Sequence, residues 1–203
     1  MTVAEEILDY TRGLFDVVGH RQWSDTESLL ILGLESTPSQ NLDEFGHVRG
    51  TFRPYGFEKH ARLRLELLTS FIRSQGFSAE PVGRFGYPLE GEINLKEEAI
   101  RTGLGKMGKS TVVLHPEYGA RLRFMAVITN APFDSPADLP LIEAENPVCK
   151  GCSVCIDVCP PKILEPYRIT DISLCLSNIT PKNKEGRSVL CDECLKQCPA
   201  NMV

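Results

Sequence analysis

The chemistry most plainly written in this chain belongs to eight cysteines, all of them within its last 55 residues. Cys149, Cys152, Cys155 and Cys159 are separated by two, two and three residues, and Pro160 follows the fourth. Cys191, Cys194 and Cys198 repeat half of that pattern before Pro199, and Cys175 stands between the two groups. Thiolates at such spacing are ligands for soft metals. A disulfide framework would instead be expected to staple the body of a small secreted domain, and here the body holds no cysteine. The eight are therefore read as reduced, metal-binding thiols.

Cys-x2-Cys-x2-Cys-x3-Cys-Pro is the spacing of bacterial ferredoxins, in which three thiolates hold one cubane and the fourth reaches a second. That pattern assigns Cys149, Cys152, Cys155 and the returning Cys198 to a first [4Fe–4S] cluster, and Cys159, Cys175, Cys191 and Cys194 to a second. Structural zinc also favours Cys-x2-Cys pairs, but it needs neither a third cysteine two residues on nor a crossed Cys-Pro. Two clusters imply electron transfer, so a source and a destination for electrons must be sought upstream.

"GLGKMGKS", Gly103 to Ser110, satisfies the G-x-x-x-x-G-K-[ST] pattern of a phosphate-binding loop. Such a loop must leave a strand and open a helix, so that backbone N–H groups and the helix N-terminus converge on phosphate. Here helical "KEEAIRT" precedes and β-branched "STVVL" follows, the reverse order. An ATPase is disfavoured. Glycines that merely turn the chain are one reading, and a bare backbone passing close to a large cofactor is the other.

The elements that must position these residues are legible in part. Thr2-Val3-Ala4-Glu5 fits a capping box, followed by apolar residues at Val3, Ile7, Leu14 and Val18. "SLLILGL" reads as a buried strand, and Phe57, Ala61, Leu65, Leu68 and Ile72 keep helical spacing from Phe57 to Gln75, with Gly76 placed to end the helix. "KEEAIRT" predicts a helix, "STVVL" and "RLRFMAVIT" predict strands, and the stretch from Ala131 to Pro147 reads as a linker. An α/β body over residues 1–140 is expected to precede a cysteine module over residues 141–203.

"EEAIRTGLGKMGKSTVVLHPEYGARLRFMAVITNAPF", followed by the double cysteine motif, resembles the cobalamin and iron–sulfur core shared by epoxyqueuosine reductases and reductive dehalogenases. "LHPEYGARLRFMAVIT" and "FIRSQGF" are similar to the dehalogenase side, "CLSNIT" and "CDECLKQCPAN" to the reductase side, over roughly residues 28 to 203. The resemblance implies a nitroreductase-like α+β sandwich holding a corrinoid, beside a bacterial-type two-cluster ferredoxin module that reduces the cobalt. It further implies that Gly103, Leu104, Gly105, Gly108, Lys109 and Ser110 line the corrinoid, with His115, Tyr118 and Gly119 nearby. A flavin (FMN) in place of the corrinoid is the alternative cofactor. Reductases of this kind carry an Asp-x-x-Pro segment ahead of the glycine loop, and dehalogenases a tyrosine with a basic partner. The corresponding "RFGYPLEGEINL" has no aspartate and offers Tyr87, Glu90 and Glu92 as candidate proton donors.

The chain is short for that family, so an electron-transfer partner or corrinoid reactivase without its own substrate stays open beside a cobalamin-dependent reductase. A redox partner such as ferredoxin or flavodoxin is expected, and a homodimer is the expected oligomer. The start "MTVAEEILDY" lacks the basic residues and apolar run of a signal peptide, and no apolar stretch approaches the roughly 20 residues needed to cross a bilayer. A cytoplasmic location follows. With 22 basic against 27 acidic residues the formal charge is −5, which makes nucleic acid an unlikely partner, although "RLR" at Arg121 and Arg123 could grip an anion.

Overall fold

The computed structural model describes residues 2–84, 86, 88, 91–134 and 146–202. In chain order the elements are α1 (Val3–Arg12), β1 (Val17–Gln22), β2 (Ser28–Glu35), β3 (Glu44–Val48), β4 (Thr51–Arg53), α2 (Tyr55–His60), α3 (Arg62–Ser74), β5 (Ala79–Pro81) and α4 (Leu95–Arg101). They continue with β6 (Lys106–Met107), β7 (Val113–Leu114), β8 (Leu122–Thr129), α5 (Val154–Asp157), β9 (Leu164–Glu165), β10 (Arg168–Ile169), α6 (Ile172–Ser177), β11 (Ser188–Val189) and α7 (Glu193–Lys196). Single 3-10 turns occupy Pro147–Cys149 and Pro199–Met202. The result is a mixed α/β fold in two compact units that interleave in sequence.

The first unit takes residues 1–35, 58–104 and 123–141. Its sheet runs β1-β2-β8-β5, with β1 antiparallel to β2 and β5 antiparallel to β8. Strand β2 is "SLLILGLE", and Leu29 to Leu32 are completely buried, which is why it reads as an unbroken apolar run instead of an alternating one. Helix α1 begins with the expected capping box: the Thr2 hydroxyl accepts from Glu5 N–H and the Glu5 carboxylate accepts from Thr2 N–H. The helix ends at Arg12, so Leu14 lies beyond it and Val18 belongs to β1. Of its apolar positions only Ile7 is buried, and Tyr10 stacks on Phe71 of α3 at 4.1 Å.

The single helix expected from Phe57 to Gln75 is divided at Ala61 into α2 and α3. Leu65, Leu68 and Ile72 still share the buried face, and Gly76 leaves the helix at φ +90°, a conformation that costs glycine nothing. α4 is capped by the Asn94 side chain and carries a buried carboxylate, Glu98, bonded to Arg21 Nε of β1 at 2.5 Å.

The second unit takes residues 36–57, 105–122 and 142–203. It holds a three-stranded antiparallel sheet, β11-β3-β4, and two small hairpins, β6 with β7 and β9 with β10. The strand expected over "STVVL" shrinks to Val113–Leu114, because Ser110 and Thr111 form the turn of the β6–β7 hairpin. Gly108 N–H donates to the Val112 carbonyl and Thr111 N–H to that of Gly108, with Thr111 held at φ +61°. The glycine loop therefore continues into a hairpin, not a helix. Most of the stretch expected to be a linker lies outside the described residues.

Candidate functional site

In the second unit the cysteine segment folds into two helix-bearing loops, and α5 packs against α7. All eight cysteines are thiols, none in a disulfide. Burial raises the Cys155 thiol, and Cys149, Cys198 and Cys152 add to that rise in this order. Burial also raises Cys198, with Cys149 and Cys152 adding to it against a hydrogen bond from the Ala200 backbone. These four thiols line one void together with Lys109, Ser110, Leu114, Val148 and Pro199. Cys194 is pushed up to about 12 by burial first, then by Cys175, Cys191, Cys155 and Cys159. Cys159 packs with Ile163 and Leu164, and Cys175 and Cys194 lean on the same apolar group.

The fold thus brings Cys198 to the first three cysteines, and brings Cys175 and Cys194 to the apolar group that contains Cys159. Crowded thiols surrounded by apolar side chains disfavour four bare negative charges, which is the donor set a cationic iron–sulfide core satisfies. Among the described residues no three or more His, Cys, Asp or Glu converge closely enough for a single metal ion. A cubane instead takes one thiolate at each of four irons, so its ligands stand further apart.

Lys109 is tied to this site. Its backbone N–H points at Cys149 Sγ across 3.5 Å, and its Nζ donates to the Cys152 carbonyl at 3.1 Å. Two residues that the sequence does not single out hold it there. Tyr167 N–H donates to the Lys109 carbonyl at 3.0 Å, and the Tyr167 hydroxyl accepts from Asn146 N–H at 2.8 Å. Asn146 is buried; its amide donates to the Met107 carbonyl at 3.1 Å and its oxygen accepts from Val148 N–H at 3.1 Å. The one signal in the sequence was Asn146-Pro147, a turn-initiating pair.

The other loop residues have structural roles of their own. In the first unit Gly103, at φ +81°, ends α4, and the buried Leu104 donates its N–H to the Ala99 carbonyl at 2.8 Å. In the second unit Gly105 has φ +147°, and a Cβ there would meet the Leu114 carbonyl oxygen at 2.5 Å. A Cβ at Gly108 would meet the Leu114 side chain at 2.9 Å. Ser110 is buried against the first void. The steric need for glycine at positions 105 and 108 is met by neighbouring protein atoms.

"HPEYG" is a tight turn. His115 and Gly119 exchange backbone hydrogen bonds at 2.9 Å, and His115 Nδ1 accepts from the N–H groups of Glu117 and Tyr118. The neutral ring therefore carries its proton on Nε2, and burial lowers its pKa while Glu117 opposes the shift. A Cβ on Gly119 would meet the Ala200 carbonyl oxygen at 2.5 Å. Asn201 accepts from Ala120 N–H at 2.9 Å, and its carbonyl accepts from Arg121 at 2.8 Å, so that arginine is engaged within the protein. Of the candidate proton donors, Tyr87 and Glu90 lie outside the described residues, and Glu92 is exposed just ahead of α4. No helix among the described residues is long and apolar enough to cross a membrane.

No protein-family model matches the chain. An epoxyqueuosine reductase of Listeria monocytogenes is 31% identical over 173 residues, covering 77% of this chain and 42% of that protein. The chain thus spans about two fifths of that relative's length. A solved epoxyqueuosine reductase with an epoxyqueuosine-modified tRNA stem loop superposes with a TM-score of 0.67 at 19% identity, over 98% of this chain and 65% of the other. A reductive dehalogenase structure described for B12-dependent dehalogenation superposes with a TM-score of 0.63 at 15% identity, over 97% and 32%. The stem-loop-bound neighbour removes the ground for setting nucleic acid aside, since net charge reports on the whole surface and not on one patch. The chain is a homologue of the epoxyqueuosine reductases and shares its fold with the reductive dehalogenases.

Proposed function

We propose that this chain is an iron–sulfur oxidoreductase that passes single electrons through two [4Fe–4S] clusters for reductive chemistry. Cys149, Cys152, Cys155 and Cys198 hold the first cluster, and Cys159, Cys175, Cys191 and Cys194 the second, in a ferredoxin-like module carried by a nitroreductase-like body. The observation that carries this reading is that Cys198 lines one void with Cys149, Cys152 and Cys155, while Cys159 belongs to an apolar group against which Cys175 and Cys194 pack. The homologues named as reductases support the reaction class. Lys109 shapes the first cluster's surroundings by donating to Cys149 and to the Cys152 carbonyl.

The B12 chemistry of the dehalogenase neighbour supports a corrinoid as the electron acceptor. The glycines at 105, 108 and 119 back onto protein, which favours a second reading in which the chain delivers electrons to a corrinoid held by another protein. One experiment separates the two. Protein reconstituted anaerobically with iron and sulfide is mixed with hydroxocobalamin, desalted and scanned in the visible range. Retained corrin absorbance supports a resident corrinoid, and cluster absorbance alone supports the electron carrier. A spectrum with neither overturns the proposal.

A further inference from the structure

Four of the large hydrophobic side chains that the described chain leaves exposed fall within eight residues, Ile172, Leu174, Leu176 and Ile179, each 41–55% exposed. Single exposed apolar residues need no explanation, but four within eight residues, two of them on one side of a helix, point to an interaction site. The group surrounds a proposed cluster ligand. Cys175 lies inside α6, where it packs toward Ile163 and Leu164 with Cys159 and Cys194. Ile172 and Leu176 are four residues apart and so share one side of the helix, with Cys175 the next position round from Leu176. The helix is held in place by the Asp171 carboxylate, which caps it through Ser173 and Leu174.

Charge distinguishes this surface from the rest of the molecule. Between Ile172 and Leu190 there are three basic residues and one acid, in a chain where acids outnumber bases 27 to 22. Arg187 is taken up by Glu44 at 3.1 Å, whereas Lys182 and Lys184 are exposed and form no ion pair among the described residues. Both lysines sit on a short hairpin that begins at Ile179, where Thr180 pairs with Val189 and Asn183 with Arg187. Lys182 is three residues from Ile179, a reach of about 10 Å, so the lysines border the apolar group within about one Debye length.

From this arrangement we infer that α6 and the hairpin after it form the docking face for a small acidic one-electron carrier protein, and that electrons enter through the second cluster. The inference rests on the cluster assignment above and names its partner. An apolar centre with a basic rim suits a transient redox complex, in which burial supplies contact and charge supplies encounter rate. The step balances without a proton: the reduced carrier loses one electron, and the second cluster passes from the 2+ to the 1+ state.

The probe is a reduced plant-type [2Fe–2S] ferredoxin, with dithionite as a small reductant that needs no docking face, both followed by stopped-flow absorbance. Leu176→Asp and the double change Lys182→Glu with Lys184→Glu are each expected to slow reduction by ferredoxin at least about tenfold. Reduction by dithionite should be unchanged, and the lysine variant should lose the salt dependence of the wild-type rate. Iron and sulfide analysis of each variant keeps the outcomes distinct. A variant that keeps its clusters and reacts with ferredoxin at the wild-type rate overturns the docking face alone. A wild-type protein that takes up no iron and sulfide overturns the cluster reading with it. Light scattering that shows a dimer which Leu176→Asp converts to monomer, with ferredoxin rates unaltered, would assign the patch to a second copy and also overturn the inference.

Discussion

The Lys109 backbone N–H points at Cys149 Sγ across 3.5 Å while its side chain donates to the Cys152 carbonyl, so one residue of the glycine loop grips the first cysteine turn twice. A cation beside a cluster favours its reduced, more negative state. Lys109→Met is expected to lower the midpoint potential of one cluster by on the order of tens of millivolts. Lys109→Arg should recover most of the loss. Redox titration by electron paramagnetic resonance reads this shift. Unchanged potentials in Lys109→Met would mean that the amine serves only to pin the loop.

The same geometry bears on nucleotide binding. With a hairpin following the loop and Nζ engaged by Cys152, calorimetry with ATP·Mg²⁺ should show no heat of binding. Tight nucleotide binding that disappears in Lys109→Ala would contradict this account of the loop.

Gly105 has φ +147°, and a Cβ there meets the Leu114 carbonyl oxygen at 2.5 Å. Gly105→Ala is therefore expected to destabilise the protein by about 2 kcal/mol or more even without any cofactor. For a chain of this size that is roughly 4–8 °C in Tm. Thermal unfolding of the cofactor-free protein measures it, and an unchanged Tm would show that the loop relaxes freely.

His20 of β1 has a pKa below the usual histidine value, first through burial and then through Arg12, with Asp134 opposing. Its Nδ1 is buried and has no hydrogen-bond partner among the described residues. Because the folded-state pKa is depressed, the unfolded chain takes up the proton first as pH falls. Stability from this group is complete above the ordinary histidine pKa near 6.5 and declines as pH drops toward the folded value. Urea unfolding at pH 7.5 and 5.5 should show wild type losing more stability on acidification than His20→Asn. Equal losses would assign no such role to His20.

Cys198→Ser should remove the cluster built by Cys149, Cys152 and Cys155 and leave the one that includes its near neighbour Cys194. Cys175→Ser should do the opposite. Mössbauer or paramagnetic resonance spectra of the two variants distinguish the clusters, and loss confined to the local motif would refute the crossed arrangement.

The parts of this molecule that were legible in the sequence are those whose physics is local. Ligand spacing, the Thr2–Glu5 capping box, the apolar run of β2 and the glycine after α3 each depend on neighbours within a few residues. What was hidden depends on partners far along the chain. Nothing near Lys109 announces that it will meet cysteines 40 residues later, and nothing near Tyr167 announces Asn146. Gly105 was expected to let a cofactor approach, and close approach demands glycine whatever approaches; in the fold the atom nearest a Cβ there is the carbonyl oxygen of Leu114. Periodicity also ran past real boundaries, at Arg12 and at Ala61, since helical spacing of apolar residues does not record where backbone hydrogen bonding stops.

Whether the eight thiols hold two cubane clusters is decided by the iron and acid-labile sulfide content of the anaerobically reconstituted protein, measured with zinc on the same sample. Two cubanes give about eight irons and eight sulfides per chain. Stoichiometric zinc with no acid-labile sulfide would refute the clusters.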